Sequence, residues 1–412
     1  MTTSPAGVFW IFLRLGCTSF GGPIAHLGYL RAEFVARRGW LDDEAFADLV
    51  AICQLTPGPA SSKIGIAIGA SRAGVPGAVA AWLGFTFPSA LAMIGFGYGL
   101  ALLAPGSIDS GWLHGLKIAA VAVVAQAVWS MGRQLCPDRT RASFAILAAL
   151  LVLVWGSTLS QIAAIVLGAI GGWRLLPGAA LPSSGHLDFR VSRGLGWACW
   201  ILFFALLAAL PVLVQLTDSP GVALFDSFYR AGSLVFGGGH VVLPMLRAEV
   251  VPTGLLTDDE FLAGYGVAQA VPGPLFTFAA YLGTVARGQP SGWTGGILAL
   301  LAIFLPAFFL ALGPLPFWNV WRQHPVIRSI LGGVNAAVVG ILLAALYDPI
   351  FTSAVRSPLE FALALAAFGL LFFWRAAPLW VVVFAALGGE LISGSVLQKL
   401  AEQFPHLLSR LS

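Results

Sequence analysis

The sequence predicts an all-α polytopic membrane protein made of two inverted-topology repeats with broken or re-entrant helices. Three observations carry this. Hydrophobic residues make up 58% of the 412 residues and charged residues only 10%, whereas a soluble domain carries about 25% charged residues. The chain matches itself at a fixed offset that carries Phe12 onto Phe228. Its apolar segments are interrupted at paired glycine and proline positions. Long continuous apolar runs exclude a membrane β-barrel, which needs alternating segments of about ten residues, and their abundance excludes disorder.

The duplication pairs Arg14 with Arg230, Phe20-Gly21-Gly22 with Phe236-Gly237-Gly238, the Leu-Arg-Ala-Glu runs ending at Glu33 and Glu249, and the acidic triplets starting at Asp42 and Asp258. After a one-residue slip, QLTPGP from Gln54 meets QAVPGP from Gln269, and FPSA from Phe87 meets LPAF from Leu305. The repeat is far longer than a solenoid period, so it is a duplicated domain. Each half then reads in the same order. Segment A ends at Phe-Gly-Gly and A′ follows it. Segment B ends at Pro-Gly-Pro and B′ follows it. These pieces are shorter than the roughly 20 residues that cross hydrocarbon, so they read as half-helices. Four longer segments complete each half: C from Val75 and Ser291, D from Trp112 and Pro325, E from Arg141 and Pro358, and F from Thr158 and Pro378. A polar linker from Pro177 and a connecting segment, about Trp197 to Leu216, join the halves. The expected divisions are 1–176 and 220–394 for the repeats, 177–219 for linker and connector, and an amphipathic tail over 395–412.

About nine full spans plus short half-helices give the two halves opposite topology. Arginine placement puts the N-terminus in the cytoplasm: Arg31, Arg37, Arg38, Arg72, Arg133, Arg139, Arg141, Arg174, Arg190 and Arg193 fall on one side, and the opposite loop after Ala104 has neither Lys nor Arg. The N-terminal run carries Arg14 and no basic n-region, so it does not read as a cleavable signal. The expectation is a bacterial inner-membrane protein. Basic residues scattered over loops do not form a nucleic-acid footprint. No nucleotide-binding, metal or cofactor motif is present, and the four separated cysteines give no metal spacing. The chain therefore does not read as an enzyme, and no cofactor is expected. Glycine-rich lipid-facing surfaces would permit a homodimer.

The breaks carry the functional reading. A broken helix leaves backbone N–H and C=O groups that membrane depth tolerates only against protein or a water-filled cavity. Helix N-termini there suit anions. The expected site collects Gly21, Gly22, Pro57, Gly58, Pro59, Gly237, Gly238, Pro272, Gly273 and Pro274, with Arg14, Lys63 and Arg230 as cations. A charge at the bilayer centre costs roughly 2.5–3.5 kcal/mol on insertion scales, so it normally faces a cavity or a partner. Ser19, Gln54, Thr56, Ser61, Ser62, Gln269 and His240 add the hydroxyl, amide and imidazole donors a desolvated oxyanion needs. His26, beside the first Gly-Gly, reads as a structural histidine. Arg31 with Glu33 and Arg247 with Glu249 are candidate gate pairs.

FGGPIAHLG from Phe20, the Pro-Gly-Pro break followed by Lys63, FGGGHVVLPML from Phe236 and QAVPGP from Gln269 together resemble the chromate ion transporter family in its long two-domain form. The resemblance spans essentially the whole chain. It implies an inner-membrane carrier exporting chromate, with sulfate as the close analogue. It also implies energisation by the proton motive force, and an anion path along the Gly/Pro motifs and adjacent cations.

Overall fold

The computed structural model describes residues 4–19, 22–42, 45–46, 49–50, 52–53, 56–102, 111–155, 158–177, 191–235, 242–288, 290–317 and 325–393. Gly21, Gln54, Gly237, Gly238, His240, the linker residues 178–190 and the tail 395–412 lie outside them. Among the described residues every regular element is helical.

Helix α1 (Pro5–Thr18) opens with the Ser4 side chain accepting the Gly7 N–H and a proline in its first turn, where no N–H is needed. It buries Val8, Phe12, Leu15 and Gly16 against α3. Helix α2 (Gly22–Arg31) runs into a π turn, Ala32–Arg37. After Pro-Gly-Pro, the stretch α3 (Ala60–Leu102) consists of two helices, matching the expected separate segments B′ and C. Ala73 and Gly74 leave the helical region between them, Gly74 at φ +64°, and the chain folds back so closely that a Cβ on Gly69 would overlap the Gly77 carbonyl. Helices α4 (Gly111–Leu135), α5 (Arg139–Trp155) and α6 (Thr158–Leu175) finish the first half, and α7 (Arg193–Thr217) connects it to the second.

There, α8 (Pro220–Leu234), α9 (Val242–Val250) and α10 (Asp258–Ala270) follow, the last opened by a reciprocal Thr257–Glu260 capping box. A 3-10 turn (Leu275–Thr277) leads into α11 (Phe278–Val285), then α12 (Gly292–Leu312). Helices α13 (Pro325–Ala345), α14 (Pro358–Phe372) and α15 (Pro378–Ser393) complete the described chain.

Five of these helices are long and apolar enough to cross a membrane, and shorter apolar helices surround them. The count of nine full spans exceeds this because α5, α6, α14 and α15 have only 15 to 18 residues. At about 1.5 Å per residue they fall short of a hydrocarbon core of roughly 30 Å. Exposed Val154, Trp155, Leu216, Phe373 and Trp374 give the outer surface an apolar character.

The halves interlock. Helices α3 and α12 pack with Tyr98 beside Trp293 and Trp82 beside Phe304 and Phe308, so numbering rises along one as it falls along the other. Helix α4 packs on α14 and α15, and α13 packs on α5 and α6. Glycine makes both crossings possible: a Cβ on Gly115 would overlap the Ala385 carbonyl, and one on Gly333 would overlap the Gly168 carbonyl. The alignment of FPSA with LPAF superposes Gly115 on Gly333.

Candidate functional site

The two Pro-Gly-Pro breaks are finished by each other's half. Proline removes an N–H and fixes its own φ, so the central glycine carries the only donor of each triplet. Gly58 N–H donates to the Val235 carbonyl at 2.6 Å, where α8 ends. Gly273 N–H donates to the Ser19 carbonyl at 2.9 Å, where α1 ends. Both glycines sit at positive φ, 101° and 102°, a region L side chains rarely adopt. Segment A of each half thus ends on segment B of the other.

Lys63 lies fully buried one turn beyond the first break. Its ammonium donates to the Thr56 carbonyl at 2.6 Å, Thr56 Oγ1 at 2.8 Å and the Pro57 carbonyl at 2.8 Å. Thr56 Oγ1 in turn donates to Leu310 O across the halves at 3.3 Å. All three N–H donors are therefore spent on the break itself, and Lys63 offers none to a ligand in this arrangement. Its charge remains: no described carboxylate forms an ion pair with it. Phe278 occupies the corresponding place in the second half, so the buried cation is not duplicated.

His26, read from sequence as structural, is buried at the same junction. Its Nε2 lies 3.1 Å from the Ser19 carbonyl and its Nδ1 3.3 Å from Ser61 Oγ. A neutral ring protonated on Nε2 satisfies both, donating to the carbonyl and accepting the Ser61 hydroxyl. Phe85 packs edge-on against it at 5.4 Å. The Oγ atoms of Ser19 and Ser62, Oγ1 of Thr86 and Nε1 of Trp82 are buried without a partner, as is Nε2 of Gln269. Buried polar side-chain atoms usually have a partner; Ser19 ends α1 at the second break and Ser62 lies in the first turns after the first. Thr277, by contrast, donates to Pro274 O at 2.8 Å.

The repeat-related arginines part company. Arg14 lies exposed on the same face of α1 as Trp10 and Cys17 and has no ion-pair partner among the described residues. Arg230 binds Asp226 at 2.9 Å and Glu249 at 2.8 Å. The proposed gate pairs take other partners. Glu33 holds Arg37 and Arg38 at 3.0 and 2.7 Å, while Arg247 holds Asp258 at 2.6 Å and leaves Glu249 to Arg230. Residues two apart on a helix do not face each other, so Arg31 with Glu33 and Arg247 with Glu249 were not poised to meet. Burial pushes the Glu33 carboxyl up, but hydrogen bonds from Arg38 and Arg37 and their charges outweigh it and hold it below its ordinary value. Lys117, nearly buried, reaches Asp259 at 2.6 Å and ties α4 to α10. With Arg287 on Glu260 at 3.0 Å, every member of the second acidic triplet has a cation.

Sequence reasoning passed over Asp226. Its spacing of four residues before Arg230 was the available signal. An apolar cleft of about 570 Å³ lined by Trp197, Trp200, Ile201, Phe204 and Phe317 shares no residue with the breaks.

A family model described as chromate transporter matches the chain twice, over residues 6–173 and 222–390. A chromate transport protein of Pseudomonas aeruginosa is 30% identical over 92% of this chain and 90% of its own length. A chromate transport protein of Cupriavidus metallidurans is 27% identical over 86% and 84%. A probable chromate transport protein of Synechococcus elongatus is 27% identical over 81% of each. No solved structure matches the chain.

Proposed function

The chain belongs to the chromate transporter family, and from that premise we propose that it is a secondary transporter exporting chromate across a bacterial inner membrane. One observation carries the reading at the level of chemistry: Lys63 is a fully buried cation with no described carboxylate partner, held at the first break, where Gly58 meets the end of α8. A buried charge is normally paired. Here carbonyl dipoles hold it in place, and a net positive centre in a low dielectric attracts a small oxyanion.

In this reading the anion binds between the breaks. Ser19, Ser62 and Thr86 donate hydroxyls, Gly21, Gly22, Gly237 and Gly238 offer backbone N–H groups, and Lys63 contributes field. Arg14 lines the entrance from its exposed face. Residues 1–176 and 220–394 act as inverted halves, joined by 177–219, with the N-terminus cytoplasmic. The opposed running of α3 and α12, which correspond in the alignment, supports that topology. The membrane potential favours export: about 2.3 kcal/mol per charge per 100 mV becomes roughly twice that for a dianion leaving a negative interior. Sulfate, of the same shape and charge, serves as competitor and exchange partner.

The test is radiolabelled chromate flux in everted membrane vesicles, with potential and pH gradient imposed separately. Uphill, saturable flux inhibited by excess sulfate is the expected result. Flux of another anion but not chromate would overturn the substrate, and large unitary currents would overturn a carrier.

A further inference from the structure

The second half holds a charge cluster with no counterpart among the described residues of the first. Asp226 is 4% exposed and Glu249 9%. Both bind the single guanidinium of Arg230, so two carboxylates share one cation. Asp226 Oδ2 accepts from Arg230 Nε, while Oδ1 is buried and has no hydrogen-bond partner. In the alignment Trp10 stands where Asp226 does. Among the described residues no neighbouring element brings a hydrogen-bond partner to Oδ1. Helix α12 carries no charged residue, and α7 carries only Arg193 at its far end. Helix α9 carries Arg247, which is engaged by Asp258, and Glu249 itself.

A bare, buried carboxylate oxygen in a cluster of net charge −1 is a place for a proton. We propose that Asp226 binds and releases the coupling proton. Protonation of Oδ1 makes the cluster neutral and leaves Glu249 as the charged partner of Arg230, with Asp226 Oδ2 reduced to an uncharged acceptor. Arg230 sits on α8 and Glu249 on α9, the helices flanking the second Gly-Gly break, so the proton changes how those helices are tied together. This rests on the transport reading above and assigns its coupling group.

The experiment is chromate flux in proteoliposomes against pH at fixed potential, beside chromate counterflow without any gradient. Wild-type flux changes by up to about tenfold per pH unit on the limiting limb, the slope of one titrating proton. Asp226→Asn keeps counterflow but shows a flat pH profile and no response to a pH gradient. Asp226→Glu keeps the response with a displaced midpoint. A wild-type pH profile in Asp226→Asn, or an unmoved midpoint in Asp226→Glu, overturns the assignment. Wild-type chromate flux indifferent to pH also overturns it while leaving the transport reading intact. Absence of chromate flux from the wild type overturns the transport reading instead.

Discussion

Removing the Lys63 ammonium while keeping its stem, as in Lys63→Met, separates two roles for this residue. Three hydrogen bonds from a charged donor are worth roughly 1.5–3 kcal/mol each. Against their sum, burying the ammonium costs several kcal/mol. A net destabilisation of about 2–4 kcal/mol remains, because the Thr56 and Pro57 carbonyls lose their partner while Thr56 Oγ1 keeps Leu310 O. At about 2.1 cal/mol/K of unfolding entropy per residue, a chain of 412 residues loses roughly 2–5 °C from the unfolding midpoint of the purified protein. Ligand binding is read in the same assay, since an anion at about 100 times its Kd stabilises by about 2.7 kcal/mol. If Lys63 chiefly holds the break, the variant unfolds earlier and the chromate-induced shift is reduced but persists. An unchanged midpoint with the ligand shift abolished would refute this and put the ammonium on the anion.

Four further outcomes follow from the geometry. Gly58→Ala and Gly273→Ala each impose roughly 1–3 kcal/mol of backbone strain, and Gly273→Ala loses more because its Cβ would lie 2.8 Å from Ser89 Oγ; thermal unfolding ranks them. Gly115→Ala and Gly333→Ala overlap opposing backbone at matched crossings, so each costs about 1–3 kcal/mol of stability and lowers the midpoint, and a neutral result at either would deny that crossing. Glu33 is held below its ordinary pKa of 4.5, so its contribution is complete above that value and is lost as pH falls through the depressed one; Glu33→Gln shows a smaller acid-induced drop in midpoint over that window. All four cysteines are free thiols, so a cysteine-free variant retains chromate flux.

Much of the architecture was legible because duplication repeats its punctuation. Phe-Gly-Gly and Pro-Gly-Pro mark helix ends in both halves, and α1, α3, α8 and α10 begin or end within a few residues of the boundaries they imply. The division of B′ from C was legible too: Ala73 and Gly74 leave the helical region between them as Ala286 does in the second half, and the close pairs Gly69–Gly77 and Gly283–Gly295 mark the fold-back in each. Partner choice was less legible. Lys63 reads as an anion ligand in a list of cations, yet its oxygens come from a turn six and seven residues back. His26 has no histidine at its repeat position, so periodicity could not promote it, and only the fold brings Ser19 and Ser61 to its ring. Asp226 was hidden by the same asymmetry.

The exchange of backbone hydrogen bonds between the two breaks has a consequence for biogenesis. The Thr56 contact to Leu310 closes over 254 residues, and the glycine donors also reach into the opposite half. When residues 1–176 have entered the bilayer, the first Pro-Gly-Pro still has no acceptor for its N–H, and the surface that later takes α12 is uncovered. The nascent first half is thus an incomplete object waiting for the ribosome to deliver its complement. Fragments cut between α6 and α7 recover these hydrogen bonds only when both are present.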